Sequence, residues 1–421
     1  MLDYTELNFF MLGAAAILLI GFIGRAIAKK TSIPYMVWLM LFGILLVPVF
    51  SLVKTSVQLS ALPFISVLVI LILLFNAGLV LKIKKLAGLV HRAAISAFVN
   101  FAVSAGFVFA LMYFLGYGPL VSIITAFAVG SVSAEVIPSL SKVDSPKDKK
   151  SGLINLESAI TEPVCIILVL VIIGAVLLNN YQIGALVPTL VSQFSIGIVL
   201  GAALAIAWIP AMSYLQRNRY AYSYVASLAL VFVLYILVQD IGGSGPVSAL
   251  IFGLVIANGE DLYKALRYRH SASFTINEKS KSFNDLITFF TMSFFFVYFG
   301  GLILLNDYYD FLLGVAIALV LLMARLVGTK LALTKSEFSK DDKRLASSMV
   351  SRGTAAAVVA TLPIAYGILN VGFIDVIFAV IISTITITWV MLFMQRGNLE
   401  VQTPPKSVKQ RKKVSDVEKW V

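Results

Sequence analysis

Charge is scarce in this chain: 13% of its 421 residues are Asp, Glu, Lys or Arg, while 60% are hydrophobic. Soluble domains run at roughly 25% charged and roughly 45–50% apolar, so an ordinary globular enzyme and a disordered chain are both excluded. Cysteine occurs once, at Cys165, which excludes a disulfide scaffold and a cysteine-based zinc site. Histidine occurs twice, at His91 and His270, too few for a histidine metal cage. The sequence has no phosphate-binding glycine loop with Lys and no metal-spaced Cys/His cluster, so no cofactor is expected. The 33 bases against 21 acids leave a net charge of +12, and whether that marks a nucleic-acid partner depends on where the bases sit.

Long apolar runs are what the chain has in abundance. A bilayer span needs roughly 20 mostly apolar residues. Such stretches fall near 7–28, 33–53, 61–81, 93–116, 118–140, 152–178 and 186–213, then near 220–238, 244–258, 286–306, 311–329, 345–368 and 372–395. The reading is an all-α polytopic membrane protein of thirteen spans. Residues 1–9 carry Asp3 and Glu6 and no base, unlike the basic leader of a signal peptide.

The connections alternate in charge. Apart from Lys54, Arg325 and Arg352, every Lys and Arg lies in or beside an odd-numbered loop or in the tail, while Asp240, Asp307, Asp310 and Asp375 flank the even-numbered loops. The positive-inside rule makes the basic side cytoplasmic, with the N-terminus outside and the C-terminus inside. The basic balance therefore reports topology, and no nucleic acid is expected. In the tail, 396–421, the polybasic run 406–413 follows the last span; it can meet anionic lipid at about 1 kcal/mol per base, and a solvated tail is the plainer reading.

The charges left inside the spans are Glu135, Glu157, Glu162, Arg325 and Arg352. Each is expensive there unless paired or hydrated, and hence a functional candidate; the plain alternative is an ion pair that only fixes helix packing. Helical rise puts Glu162, twelve residues beyond Lys150, about 18 Å from the cytoplasmic flank, near the midplane. The same measure puts Glu157 and Arg325 at about 8–10 Å, a shared depth with opposite signs, which predicts a pair. Glu135 and Arg352 fall at about 10–12 Å. Ser158 and Glu162 share a helix face, whereas Glu157 and Glu162 are about 140° apart and address different neighbours.

Two spans carry helix-unfriendly runs beside charge: Gly130-Ser131-Val132-Ser133-Ala134-Glu135 before Pro138 in span five, and Ser351-Arg352-Gly353-Thr354 before Pro363 in span twelve. Discontinuous helices in corresponding positions of two halves are how secondary transporters build an ion site. Spans five and twelve are seven apart, and an odd offset inverts the second copy. The expected organisation is a transmembrane domain over 1–395, with repeat one at 7–178, a linker helix at 186–213 and repeat two at 220–395. A faint echo between Asn76-Ala77-Gly78-Leu79 and Phe299-Gly300-Gly301-Leu302 fits this arrangement, and so does coincidence.

At these residues the chain resembles the monovalent cation:proton antiporter superfamily, especially its prokaryotic sodium/proton exchanger branch. Glu157-Ser158-Ala159-Ile160-Thr161-Glu162 is similar to the Glu-Ser-x-x-Asn-Asp motif of that branch, and Phe75-Asn76-Ala77-Gly78-Leu79 to its Phe-Glu-Ala/Gly-Gly-Leu motif. Ala324-Arg325 and Ser351-Arg352-Gly353 match its two helix-borne arginines, and the segment from Gly243 to Asn258 looks like its ninth helix. The resemblance implies that Glu162 binds cation or proton in competition, with Ser158 a cation ligand and Glu157 with Arg325 a structural ion pair. Thr161, Asn76 and Ser131 complete the expected oxygen set, and Arg352 and Glu135 set the local charge. The departures are Glu for Asp at 162, Thr for Asn at 161 and Asn for Glu at 76. In span five, aligning on Pro138 puts Ser131 at the family's threonine, while aligning on the acid puts Glu135 at its aspartate.

The implied activity is exchange of Na⁺ (or Li⁺ or K⁺) for H⁺ across the cell membrane by alternating access, electroneutral if one carboxylate titrates, by a homodimer. Potassium/proton exchange or a potassium efflux system is the alternative within transport, with the short tail disfavouring the gated version. An intramembrane hydrolase built on Gly243-Ser244-Gly245 lacks a base, because His91 and His270 fall in loops on the opposite side. The chain is not expected to be an enzyme.

Overall fold

The structure is a computed structural model that describes residues 4–31, 33–50, 55–81, 87–134, 149–177, 183–217, 223–265, 278–304, 307–334 and 338–400. Among these the regular secondary structure is all helical, with no strand. The first seven helices are α1 (Tyr4–Thr31), α2 (Tyr35–Ile44), α3 (Thr55–Val80), α4 (Ala87–Phe114), α5 (Pro119–Ala128), α6 (Lys149–Leu177) and α7 (Ile183–Arg217). The remainder are α8 (Ser223–Asp240), α9 (Gly245–Ala257), α10 (Gly259–Ala265), α11 (Glu278–Gly301), α12 (Tyr308–Leu333), α13 (Lys340–Ser348), α14 (Thr354–Ala365) and α15 (Gly372–Glu400).

Helix is what such runs must form in lipid, where each backbone N–H and C=O has to be satisfied within its own segment. Among the described residues, seven helices are long and apolar enough to cross a membrane: α3, α4, α6, α7, α11, α12 and α15. Shorter apolar helices fall at α1, α2, α5, α8, α9 and α14. Pro48 is absorbed in a π-helical turn at Leu45–Val49 that continues α2. Pro119 and Pro246 sit in the first turns of α5 and α9, where no intrahelical N–H is lost.

The helices pack as two groups. In one, α12 lies against α4, α13 and α15, and α6 against α4, α5 and α14. In the other, α9 lies against α3, α7 and α8, and α11 against α1, α2 and α3. The groups meet chiefly where α3 touches α6 and α14. Apolar burial against lipid tails drives little association, so close backbone approach has to hold these contacts. Glycine permits it on several contacts, among them α3–α9 and α2–α11. On the α3–α9 contact, a Cβ on Gly78 would strike the Leu250 carbonyl and one on Gly253 the Phe75 carbonyl. On the α2–α11 contact, a Cβ on Gly43 would strike the Val297 carbonyl and one on Gly300 the Met40 carbonyl.

Candidate functional site

The site forms where two helix breaks cross. After Ala128 the chain leaves helical geometry over 129–134, and between Ser348 and Thr354 it does so again. The runs of Gly, Ser and Val in both segments are poor helix formers. The freed backbone groups find partners across the crossing. Ser133 donates its N–H to the Ser351 carbonyl at 3.0 Å, and the Ser351 hydroxyl donates to the Ser133 carbonyl at 2.9 Å. Two threonines one turn apart on α15 take further donors: Val350 N–H reaches Thr388 Oγ1 at 3.2 Å, and Arg352 N–H reaches Thr384 Oγ1 at 3.1 Å.

Arg352 is fully buried at this crossing. Its Nε donates to the Val129 carbonyl and its Nη1 to the Val350 carbonyl at 2.9 Å. The guanidinium thus caps carbonyl oxygens just past the C-terminal ends of α5 and α13, where helix dipoles concentrate negative charge. Its Nη2 has no hydrogen-bond partner among the described residues.

Helix α6 faces the crossing with Ser158, Glu162 and Cys165, spaced for one helical face. The Ser158 hydroxyl donates to Glu162 Oε1 at 2.9 Å and accepts the Ala134 N–H at 3.2 Å, which ties the carboxylate to the span-five break. One turn further, buried Cys165 shares a hydrogen bond with Ser131 of the same break, and both Glu162 and Arg352 lie within electrostatic range of the thiol. Glu162 is half-buried, unlike its neighbours Thr161 and Pro163, which are buried.

The opposite side of α6 is built differently. Glu157 is fully buried and accepts two donors from Arg325 of α12: Nη1 to Oε1, and Nη2 to Oε2 at 3.1 Å. Arg325 Nε donates to the Ala346 carbonyl of α13 at 2.9 Å. Thr161 turns toward this side, its hydroxyl donating to the Glu157 carbonyl at 2.9 Å.

The structure therefore brings Ser158 and Glu162 together and sets Ser131 one turn along, against Cys165. Asn76 of α3 donates its amide to Thr288 Oγ1 of α11 at 2.7 Å, so that donor is committed to the α3–α11 contact. Glu135 and the tail segment 406–413 lie outside the described residues. Residues the sequence reading passed over are Cys165, Ser133, Ser351, Thr384 and Thr388. The spacing of Ser158, Glu162 and Cys165 was a usable signal; nothing in sequence links Ser133 to Ser351.

A cavity of about 360 Å³ lies between the two helix groups, lined by Val67 and Ile70 of α3, Leu170 of α6, Gln239 of α8 and Leu362 and Tyr366 around α14. Beside it the Ser66 and Thr361 hydroxyls share a 2.9 Å hydrogen bond that joins α3 to α14. Its nearest lining residue on α6, Leu170, is eight residues or about 12 Å along the helix from Glu162.

Known proteins match both this sequence and this fold. The profile of the family described as "Sodium/hydrogen exchanger, transmembrane" matches residues 15–393. The K(+)/H(+) antiporter NhaP2 of Shewanella sp. strain ANA-3 is 26% identical over 289 residues, covering 66% of this chain and 47% of that protein. The protein of the same name from Shewanella baltica strain OS223 is 25% identical over 289 residues, with the same coverage of 66% and 47%. The chain spans about half the length of these curated relatives. Among solved structures, the sodium proton antiporter MjNhaP1 of Methanocaldococcus jannaschii at pH 8 superposes with a TM-score of 0.75 at 20% identity, over 94% of this chain and 99% of that one. An electron-microscopy structure of the same antiporter gives 0.70 at 20% identity, over 96% and 100%. The fold is thus that of a sodium/proton antiporter, and the family match covers nearly all of the membrane part. The chain belongs to the sodium/hydrogen exchanger family, a family of multi-pass cell-membrane transporters and not of enzymes.

Proposed function

We propose that the protein is a secondary active antiporter that exchanges a monovalent cation, Na⁺ foremost, for H⁺ across the cell membrane. The observation that carries this reading is the half-buried Glu162, hydrogen-bonded to Ser158 and held against the crossing of two broken helices. A carboxylate there binds a proton or a hard cation, and oxygen ligands suit such ions. With Glu162 ionised and empty, the Ser158 hydroxyl donates to it. When a cation arrives, that hydroxyl rotates its proton away and offers an oxygen lone pair. When a proton arrives, it sits on the carboxylate and displaces the cation. Ser131 is a further oxygen of the site, whereas the Thr161 hydroxyl is turned to the Glu157 side and the Asn76 amide to Thr288; Arg352 offsets the negative charge of the carboxylate and the exposed carbonyl ends. Glu157 and Arg325 hold α6 against α12. With one shared carboxylate, exchange is one cation for one proton and electroneutral.

Thirteen spans, N-terminus outside and C-terminus cytoplasmic, and an inverted pair of repeats at 7–178 and 220–395 around a linker at 186–213, complete the reading. The crossing of spans five and twelve supports the repeat. Two of the glycine-lined contacts support it too: an offset of seven spans turns the α2–α11 pair into the α9–α3 pair. The membrane domain is 1–395; the basic tail, 396–421, meets anionic lipid, and the protein works as a homodimer. Alternating access moves one helix group against the other.

Potassium/proton exchange is the second reading, favoured by the names of the curated relatives. Dye-quench assays in proteoliposomes with Na⁺, Li⁺ and K⁺, with and without an imposed voltage, decide among them. Na⁺- and Li⁺-driven proton movement that ignores voltage is expected. A response to K⁺ alone replaces the first reading with the second, and no response to any of the three overturns both.

A further inference from the structure

Arg25 lies six residues before the end of α1, roughly 9 Å along the helix from that end. Its guanidinium carbon sits 4.3 Å from the ring centroid of Phe289 on α11 and 5.5 Å from that of Tyr35 at the start of α2. The two rings are 6.2 Å apart, so three helices converge on one cation. The two rings hold the guanidinium by cation–π attraction. Arg25 is exposed, and among the described residues no carboxylate or hydrogen-bond acceptor meets its N–H groups. Exposed apolar side chains line the same two helices, Leu19 and Phe22 on α1 and Leu286 and Phe290 on α11, and Asp285, one turn before Phe289, is exposed as well.

An arginine at the flank of a bilayer reaches water or an anion, and its planar fork matches a phosphate. A soluble anion would gain nothing from the apolar side chains beside it, whereas a lipid would cover them with its acyl chains. The charge alternation puts this end of α1 on the cytoplasmic side, where anionic lipids concentrate. We propose that Arg25, clamped by Tyr35 and Phe289, binds the phosphate of an anionic phospholipid of the cytoplasmic leaflet, whose acyl chains lie along the exposed faces of α1 and α11. This site is separate from Glu162 and from the basic tail, and binding to it does not depend on which ion is exchanged.

The test uses the purified full-length protein, with lipid adducts read by native mass spectrometry and melting followed during titration. Phosphatidylglycerol is expected to bind and raise Tm, phosphatidylcholine to do so weakly because its choline compensates the phosphate, and inorganic phosphate to have no effect. Arg25→Gln is expected to lower phosphatidylglycerol affinity about tenfold through loss of the charge-assisted pair. Phe289→Leu, which keeps the charge and loosens the clamp, is expected to lower it about threefold. The tail is the same in every variant, so a difference between them reports Arg25. Unchanged phosphatidylglycerol binding in Arg25→Gln overturns the proposal, as does equal stabilisation of the wild type by inorganic phosphate. If Arg25→Gln fails to fold, Phe289→Leu decides: a fall in affinity upholds the site and unchanged affinity overturns it.

Discussion

Two faces of one helix hold the two glutamates of α6, and they are built to opposite ends. On the side turned to α12 and α13, Glu157 is fully buried and bidentate to Arg325, whose Nε donates to the Ala346 carbonyl. On the side turned to the span-five break, Glu162 is half-buried and leans on a hydroxyl that can reverse its hydrogen bond. The residue type is the same and the spacing is five residues; the neighbours differ. A carboxylate locked to a buried guanidinium serves structure, because losing either partner strands a charge. A carboxylate beside rotatable hydroxyls and loose carbonyls can change its occupant. What the pair teaches is that an intramembrane charge acquires its role from the mobility of its partners.

The sharpest way to break this contrast is Glu162→Gln. Cation-driven proton movement should fall to background while the melting temperature stays close to wild type; retained exchange would sink the assignment of Glu162. Next in size is Arg325→Ala, which leaves Glu157 buried without its partner and should cost about 3–5 kcal/mol, seen as lost yield and a lowered Tm. Replacing both partners together, as Glu157→Gln with Arg325→Met, should recover a large part of that loss. A double variant as unstable as the single one would mean that the two residues are not coupled.

A smaller effect is expected from Ser158→Ala. Losing one oxygen ligand should raise the apparent KM for the cation by about five- to tenfold with a lesser change in maximal rate, because ground-state binding is what the hydroxyl supplies. The pH dependence carries the same logic. If a proton and a cation compete for Glu162, as proposed, the apparent KM should rise as pH falls and recover as pH rises; a KM indifferent to pH would mean that the two ions do not share the site. The smallest change should follow Cys165→Ser, which preserves a hydrogen bond to Ser131 and should leave exchange within about twofold of wild type. A large loss there would move the thiol from the edge of the site to its centre.

Much of this was legible in the residues. The alternation of basic loops orders the helices, because inserted segments keep their bases on one side. Depth pairs Glu157 with Arg325, since helical rise is constant and opposite charges at one level in lipid have strong reason to meet. A four-residue spacing joins Ser158 to Glu162. The breaks announce themselves through Gly130, Ser131, Ser351 and Gly353. Asn76 shows the limit: its motif points to the ion site, yet its amide donor goes to Thr288 on a helix more than two hundred positions away. The same holds for the two serines at the crossing and for the threonines of α15, which satisfy backbone donors of the span-twelve break.

The sequence by itself determined that the chain is a helical membrane protein, which side of each loop is basic, and which few charges must be explained inside the bilayer. These are local properties: apolar length, charge position and helical period act through the chain's nearest neighbours. Only the tertiary structure decided that Ser133 meets Ser351, that Arg352 caps the carbonyl ends of both breaks, and that Cys165 rests on Ser131. Those contacts join residues far apart in sequence, and they exist because backbone groups freed by a broken helix must find partners wherever the packing of other helices happens to put them.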